Sequence, residues 1–280
     1  KSLWQVLDFR QWRAKITPRG LLFVSGLGAE HASELNVGCC PKLTVSAVRD
    51  AIRMFCNLRF LHLQNTFPLR DEDLSAVLSF CPRLQLLNVG NCRQLTDGAA
   101  KQIPGCCPDL QELSLQGCVS IGDDGVAGAL GPHLERFNVS GMPLLSEEGI
   151  QRLRNLSRLV LEDSSAITGR GIASIIAQNP QLTELSLQGS EVVDALVLES
   201  LQQAENLRVL NLTSCWGLKP KMFQTWKPPR NLMLLLANRR DLAALQALLP
   251  KVSVEEGVMD LEVDRDYAYV FLTYIIQGVQ

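Results

Sequence analysis

The sequence has few of the features that mark an enzyme. Its 280 residues include three histidines, His31, His62 and His133, which lie far apart in the chain. It contains no phosphate-binding G-x-x-x-x-G-K-[ST] loop, no G-x-G-x-x-G, no H-E-x-x-H and no G-x-S-x-G. We therefore expect neither a catalytic site nor a bound cofactor.

Long apolar runs and an excess of charge of one sign are also missing. The longest nearly apolar stretch, residues 267–276, is far shorter than the roughly 20 residues that a membrane-spanning helix needs. No basic and then apolar opening with a cleavage site indicates a secretory signal. Lys and Arg total 27 against 29 Asp and Glu, a net charge of -2. This balance gives no general reason to expect a nucleic acid or an anionic membrane as a partner.

Cysteine pairs with metal-binding spacing are absent, although the chain has nine cysteines. A zinc cluster would need pairs such as C-x-x-C, so we expect no metal. Instead the cysteines recur with the leucine pattern described next, and Cys56, Cys81 and Cys107 each stand just before one of its lines. A free thiol is small, apolar and easily buried. Reduced core thiols are typical of an intracellular protein.

What the chain does contain is a repeated line of apolar residues, L-x-x-L-x-ϕ-x-x-C, in which ϕ is aliphatic. The two clearest lines are Leu84, Leu87, Val89 and Cys92, and Leu110, Leu113, Leu115 and Cys118. The first residues of successive lines are Ala32, Leu58, Leu84, Leu110, Leu134, Leu156, Leu182, Leu207 and Leu232. A spacing of 22 to 26 residues is typical of leucine-rich repeats. The sequence therefore predicts an α/β fold, a right-handed leucine-rich repeat solenoid (horseshoe), with parallel strands on the concave face and helices on the convex face.

Residues 107–132 illustrate one repeat. Leu113 points into the solenoid and Glu112 points out, because the side chains of a strand alternate between its two faces. Asp123 marks a helix start, since its carboxylate can accept backbone N–H bonds. Pro132 prevents the helix from continuing. Stacking such units predicts about nine or ten parallel strands with a shared core.

The outward strand positions predict a binding surface for a protein partner. Phe60 and Leu86 are neighbouring apolar anchors, and Arg136 and Arg158 are neighbours near the middle of the arc. The two arginines could bind an acidic or phosphorylated partner, or form a solvated charge ladder with adjacent glutamates, and both interpretations stay open. The candidate partner-binding residues are Phe60, His62, Leu86, Glu112, Arg136, Arg158 and Glu184.

A second outward position is occupied four times by asparagine. These residues are Asn36, Asn88, Asn138 and Asn211. Their shared position indicates stacking of side-chain amides along the sheet.

The repeat pattern fades at both ends of the chain. Residues 248–254 could form a last strand, and Val258, Leu261 and Val263 fit the line equally well. We expect the aromatic residues between 267 and 274 to cap the open end, with a partner-binding peptide as the alternative. The expected organisation is a cap over residues 1–31, repeats over 32–257 and a second cap over 258–280.

The repeats resemble the cysteine-containing class found in F-box proteins. The resemblance covers about residues 32–240 and rests on the two lines above and on four further segments. These are Leu95-Thr96-Asp97, Ile121-Gly122-Asp123, Cys81-Pro82-x-Leu84 and Cys107-Pro108-x-Leu110. The opening Ser2-Leu3-Trp4-Gln5-Val6-Leu7-Asp8-Phe9 resembles the tail of an F-box. Met142, Ser164 and Ser190 depart from the pattern, because they stand where the class has cysteine.

The resemblance implies a non-catalytic substrate receptor of a Skp1–cullin–F-box ubiquitin ligase, which holds a target near a ubiquitin-charged enzyme. Skp1 would bind only through a segment upstream of Lys1. The alternative is a structural scaffold subunit of a large assembly such as the ciliary dynein regulatory complex. Both imply a protein partner on the concave face, no nucleic acid and no membrane, and a location in the cytoplasm or the ciliary axoneme.

Overall fold

The structure is a computed structural model that describes residues 4–28, 31–65, 68–164, 168–190, 193 and 195–257. Eleven strands in these ranges form one open, all-parallel sheet in the order β1 to β11. The strands are β1 Val6–Asp8, β2 Glu34–Asn36, β3 Phe60–His62, β4 Leu86–Asn88, β5 Glu112–Ser114, β6 Arg136–Asn138, β7 Arg158–Val160, β8 Glu184–Ser186, β9 Val209–Asn211, β10 Leu234–Ala237 and β11 Ser253–Glu256.

Helices follow most strands and form a second layer against the sheet. They are α1 Pro18–Gly28, α2 Val45–Ile52, α3 Asp71–Leu78, α4 Asp97–Cys106, α5 Asp123–Gly128, α6 Glu147–Ile150, α7 Gly169–Gln178, α8 Ala195–Leu201 and α9 Leu242–Leu248. Helices α4, α6 and α7 begin after Thr96, Ser146 and Thr168, and each of these hydroxyls accepts a backbone N–H bond of the first turn. The predicted α/β leucine-rich repeat horseshoe is confirmed.

The core is a stack of leucines between the two layers. The middle residue of each strand points inward, and the register places Leu61, Leu87 and Leu113 side by side. Each of the three is fully buried, which is worth about 1.5–3 kcal/mol per side chain. One coil alone leaves its leucines half covered, so the neighbouring coils supply the rest of the core.

The sheet begins earlier than expected, inside the segment assigned to an N-terminal cap. Strand β1 pairs with β2, with Leu7 opposite Leu35. The repeat line is present there as Trp4, Leu7 and Phe9. Two of its three residues are aromatic, so it does not match the aliphatic pattern of the later lines. At the other end, β11 supports the first of the two alternatives for the last strand. Val258, Leu261, Val263 and the expected cap lie outside the described residues.

The core cysteines form a ladder of thiol hydrogen bonds between coils. All nine cysteines lie in the described ranges, and none forms a disulfide there. Cys92 donates to the carbonyl of Leu63 at 3.6 Å, and Cys118 donates to that of Val89 at 3.3 Å. Ser190 keeps the same bond, from its hydroxyl to the carbonyl of Leu161. In these coils a small donor therefore satisfies the carbonyl of the residue that follows the preceding strand, whereas Met142, buried at the same repeat position, has no hydrogen to donate.

One cysteine leaves this pattern. Cys81 and Cys107 are buried as the repeat predicts, but Cys56 is exposed. Phe55 lies three residues before the next leucine line, as Cys81 and Cys107 do, and fills the buried position instead.

A second ladder joins the helix starts of the middle coils. Asp123 accepts the backbone N–H of Ser146 at 2.8 Å and the Ser146 hydroxyl at 2.6 Å. Asp97 accepts the N–H of Gly122 in the same way. The carboxylates approach so closely that a Cβ on Gly125 or Gly149 would lie 2.4 or 2.1 Å from their oxygens. Glycine is required at these two positions because the preceding coil occupies the space.

The coil after β9 is built differently. A short 3-10 helix, Pro220–Phe223, stands where the earlier coils have an α-helix. Trp226 packs edge-on against Phe223, with ring centres 5.4 Å apart, and donates its indole N–H to the carbonyl of Leu198 at 2.6 Å. Large aromatic side chains thus fill the volume that a regular helix would occupy.

Of the helices in the described ranges, none is both long and apolar enough to cross a membrane.

Candidate partner-binding surface

Six of the seven predicted partner-binding residues form one continuous row. Each is the first residue of its strand, and the register pairs them in succession across β3 to β8. The row is Phe60, Leu86, Glu112, Arg136, Arg158 and Glu184. Because neighbouring strands lie about 4.8 Å apart, the row is roughly 24 Å long. His62 is on the same face, two residues along from Phe60.

The apolar end of the row is half-buried rather than fully exposed. Phe60 and Leu86 lie opposite one another on β3 and β4, and each is partly covered by its neighbours. Glu34 precedes them in the row and Glu112 follows them. The row therefore has a pair of apolar side chains flanked on each side by a carboxylate.

The charged part of the row consists of two ion pairs. The Nε of Arg136 donates to Oε2 of Glu112 at 2.6 Å, and Arg158 pairs with Glu184. Arg136 and Arg158 lie opposite one another on β6 and β7, so the two like charges meet at the centre and each carboxylate lies outside. These contacts agree with the charge-ladder interpretation, and the four charges sum to zero.

His62 is neutral at physiological pH. Burial, and after it the charge of the nearby Arg10 guanidinium, lowers its pKa to about 4. Its Nε2 lies 3.6 Å from Oε1 of Glu34, which is too long for a hydrogen bond. Burial, and then the charge of Asp8, raises the pKa of the Glu34 carboxyl. Asp8 is itself paired with Arg10 at 2.7 Å, so the start of the concave face is a polar cluster.

The asparagines predicted to point outward and stack have a different role. All four are buried. Each side-chain oxygen accepts the backbone N–H two residues further on, at 2.9 to 3.0 Å, in Asn36, Asn88, Asn138 and Asn211. This turn closes the end of the strand. The register pairs Asn36 and Asn88 with His62, so they occupy the outward strand position as expected, but each amide oxygen is used by the local turn.

A groove of about 710 Å³ lies on the helical side, between α7 and α8. Small side chains such as Ala173 and Ala177 open it, and Leu196 forms part of its wall. Its Ser200 hydroxyl donates to the backbone carbonyls of Gly169 and Leu196. That hydroxyl is therefore engaged by the helix backbone rather than presented to the groove.

In the described parts of the chain, no three His, Cys, Asp or Glu side chains converge in a way that could hold a metal ion.

Sequence reasoning missed Glu34, Asp8 and Arg10 as members of the concave face. Glu34 occupies the outward position of β2, and its contact with His62 depends on register. Asp8 was missed because β1 was not expected. The aromatic form of the repeat line at Trp4, Leu7 and Phe9 is the signal that could have revealed that strand.

Comparisons with known proteins agree with the architecture. The family model described as Leucine Rich repeat matches residues 106–128. A chain of the Rad7 and Elc1 complex in yeast is similar over 90% of this chain and 75% of its own, with a TM-score of 0.65 and 18% identity. The leucine-rich repeat-containing protein LegL7 from Legionella pneumophila is similar over 89% of this chain and 81% of its own, with a TM-score of 0.54 and 14% identity.

These likenesses, at low identity, define the fold. The chain has a leucine-rich repeat fold, and proteins of this fold are generally non-catalytic interaction modules.

Proposed function

We propose that this chain is a non-catalytic module that binds a protein partner through the row from Phe60 to Glu184. The observation that supports it most is the continuity of that row across six strands. A rigid surface roughly 24 Å long loses little conformational entropy on binding, because its side chains are already positioned by register and by ion pairs.

The row favours a partner with an apolar side chain and no large net charge. Phe60 and Leu86 supply an anchor site, since apolar and aromatic contacts dominate most interfaces. The ion pairs next to it fix the orientation of the partner, because a partner carboxylate would have to share an arginine with Glu112 or Glu184.

Within this role we favour the substrate receptor of a Skp1–cullin–F-box ubiquitin ligase. The resemblance of the cysteine-containing repeats to those of F-box proteins supports it. The alternative is a structural scaffold subunit of a large assembly, such as the ciliary dynein regulatory complex. The two differ in the fate of the partner, which is ubiquitylated in the first case and retained in the second.

The test is site-specific photo-crosslinking in cells. A benzoylphenylalanine replaces Leu86 on the row or Arg152, an exposed residue on the helical side, in otherwise identical full-length protein. We expect position 86 to crosslink to a discrete protein, and we expect that protein to be absent from the crosslinks of position 152. Crosslinks from position 152 alone would contradict the proposal.

The captured protein then allows a binding titration. Truncating Arg136 and Arg158 together to alanine should weaken binding by about 1–3 kcal/mol if the partner contacts them, with folding checked by circular dichroism. Ubiquitylation of the captured protein in a reconstituted ligase would favour the receptor, and a stable complex without ubiquitylation would favour the scaffold.

A further inference from the structure

The near-neutral net charge hides a strongly basic coil. Residues 208–240 contain seven basic side chains and no Asp or Glu, whereas the other residues hold 20 basic and all 29 acidic ones. The seven are Arg208, Lys219, Lys221, Lys227, Arg230, Arg239 and Arg240. Such separation of charge within one chain is a sign of an electrostatic binding surface.

Four of these residues gather at one edge of the sheet with an exposed tryptophan. Lys219 and Lys221 follow β9, and Arg239 and Arg240 follow β10, so all four lie beyond the carboxyl ends of neighbouring strands. The two loops are joined by a hydrogen bond from the Ser214 N–H to Asn238 at 2.8 Å. We name Trp216, Lys219, Lys221, Arg239 and Arg240 the basic rim.

Trp216 makes the basic rim more than a cluster of solvated charges. Its side chain is 56% exposed, and the guanidinium carbon of Arg240 lies 4.9 Å from its ring centre. This cation–π contact restrains Arg240 and leaves a large apolar surface in water. Asp241 also contacts Arg240, at 3.4 Å, and Glu256 of β11 lies opposite Ala237 of β10, so two carboxylates lie near the four basic groups.

The same edge of the earlier coils has the opposite charge. The first turns of α3, α4, α5 and α6 carry Asp71, Glu72, Asp73, Asp97, Asp123, Asp124, Glu147 and Glu148. The first turns of α7 and α8, which lie between these helices and the basic rim, carry no acidic residue, so the acidic edge ends three coils before the rim begins. Only a polyanion long enough to pass α7 and α8 would come within the screening length of about 8 Å of these carboxylates and be repelled by them.

We propose that the basic rim binds a short acidic segment of a protein partner. Arginine matches the planar geometry of carboxylates in two-pronged hydrogen bonds, and Trp216 can pack against an apolar side chain within such a segment. A long nucleic acid is disfavoured, since its evenly spaced phosphates would extend past α7 and α8 to the acidic first turn of α6. This surface lies apart from the concave row, so the inference does not depend on the function proposed above.

The test measures binding of a fluorescein-labelled peptide of eight glutamates to the full chain by fluorescence anisotropy. Reversing two charges of the rim, in Arg239→Glu/Arg240→Glu, should raise the Kd at least about tenfold at low salt. The matched control is Lys227→Glu/Arg230→Glu, which changes the net charge equally but lies before β10, near the opposite edge. We expect it to raise the Kd less than about threefold.

Two further arms make the result decisive. The first is Lys219→Ala/Lys221→Ala, which should raise the Kd about threefold to fivefold. Because this change is milder than the double charge reversal, it still tests the rim if the reversal variant fails to fold. The peptide is also titrated against a chain in which Asp260, Glu262, Asp264 and Asp266 are replaced by amides, because these carboxylates could compete with it. Three results would overturn the proposal. They are an equal loss of peptide affinity in the rim variant and the matched control, tighter binding of an octathymidine of similar charge than of the peptide, and no binding of the peptide to either chain.

Discussion

The middle coils and the last complete coil are held together in different ways. In the coils of residues 84–146, two kinds of hydrogen bond join neighbouring coils. Cysteine thiols donate to backbone carbonyls of the preceding coil inside the core, and aspartate carboxylates accept backbone N–H groups at the helix starts. The coil from residue 207 to 241 keeps the thiol bond, from Cys215 to the Leu187 carbonyl at 3.1 Å. There it replaces the helix with a 3-10 turn and fills its volume with Phe223 and Trp226.

This difference shows what strict periodicity provides. A repeat of nearly constant length places each donor opposite an acceptor in the next coil, so polar ladders can run through several coils. The carboxylate hydrogen bonds join the starts of α4, α5 and α6, and in the coil after β9, where a 3-10 helix stands in place of the α-helix, bulky side chains provide the packing. A stack of this kind is expected to respond to damage globally in its middle and locally near its end.

The largest expected effect comes from placing a charge on the thiol ladder. Cys118 is fully buried, and burial raises its thiol pKa to about 12. Cys118→Asp should lower the free energy of unfolding by about 3–5 kcal/mol, because the carboxylate has no buried partner. Chemical denaturation followed by circular dichroism measures this loss.

Cys56→Asp is the matched control, because Cys56 is exposed and its substitution should change stability by less than about 0.5 kcal/mol. The deficit of Cys118→Asp should also shrink near pH 4. Burial raises the pKa of the new carboxyl, so its protonated form is tolerated at low pH and its cost appears as pH rises. A deficit that does not change with pH would contradict this explanation.

The second prediction concerns the aromatic filling of the last coil. Trp226→Ala leaves a cavity and a carbonyl without its indole donor, which should cost about 3 kcal/mol, the lower end of the range for a buried aromatic near the end of a stack. We expect the loss to be local. Hydrogen exchange should rise in β9 and β10 while β4 and β5 keep their protection.

Exposed Trp216 supplies the control, since Trp216→Ala removes little buried area and should leave exchange in β10 unchanged. A uniform rise in exchange along the whole sheet after Trp226→Ala would show that the last coil is not a separate unit of stability.

The contrast between regular and irregular coils also explains how far the sequence can be interpreted. The leucine lines predicted the sheet, the core and the helix starts, because each of these depends on local alternation and a fixed period. Strand β1 escaped prediction because Trp4 and Phe9 stand where later lines have aliphatic residues. The exposure of Cys56 escaped it because Phe55, not a cysteine, occupies the buried position.

The candidate surface was predictable in position but not in chemistry. Alternation along the strands placed Phe60, Leu86 and Arg136 on the concave face. The pairing of Arg136 with Glu112 depends on register and side-chain rotamers, which a single sequence does not specify. The basic rim was hidden for another reason, since the total charge averages a basic coil with the acidic ones before it.

The smallest effect expected here separates the carboxylate ladder from ordinary surface charge. Asp123 and Asp124 are adjacent, but Asp123 accepts two hydrogen bonds from Ser146 of the next coil. Asp124 makes two surface contacts, to Lys101 at 3.8 Å and Arg152 at 3.1 Å, and its side chain is 67% exposed. Asp123→Ala should cost about 1–2 kcal/mol in urea unfolding, because it leaves the N–H of Ser146, the N-cap residue of helix α6, without an acceptor.

Asp124→Ala should cost less than about 0.5 kcal/mol, because exposed ion pairs contribute little. The two variants remove the same charge from neighbouring positions, so any difference between them reports the bond to the next coil. A double-mutant cycle with Ser146→Ala should give a coupling energy of about 1 kcal/mol for Asp123 and near zero for Asp124. Equal losses would mean that helix-start carboxylates act through the helix dipole alone, and that the middle coils owe their cohesion to the core rather than to the ladder.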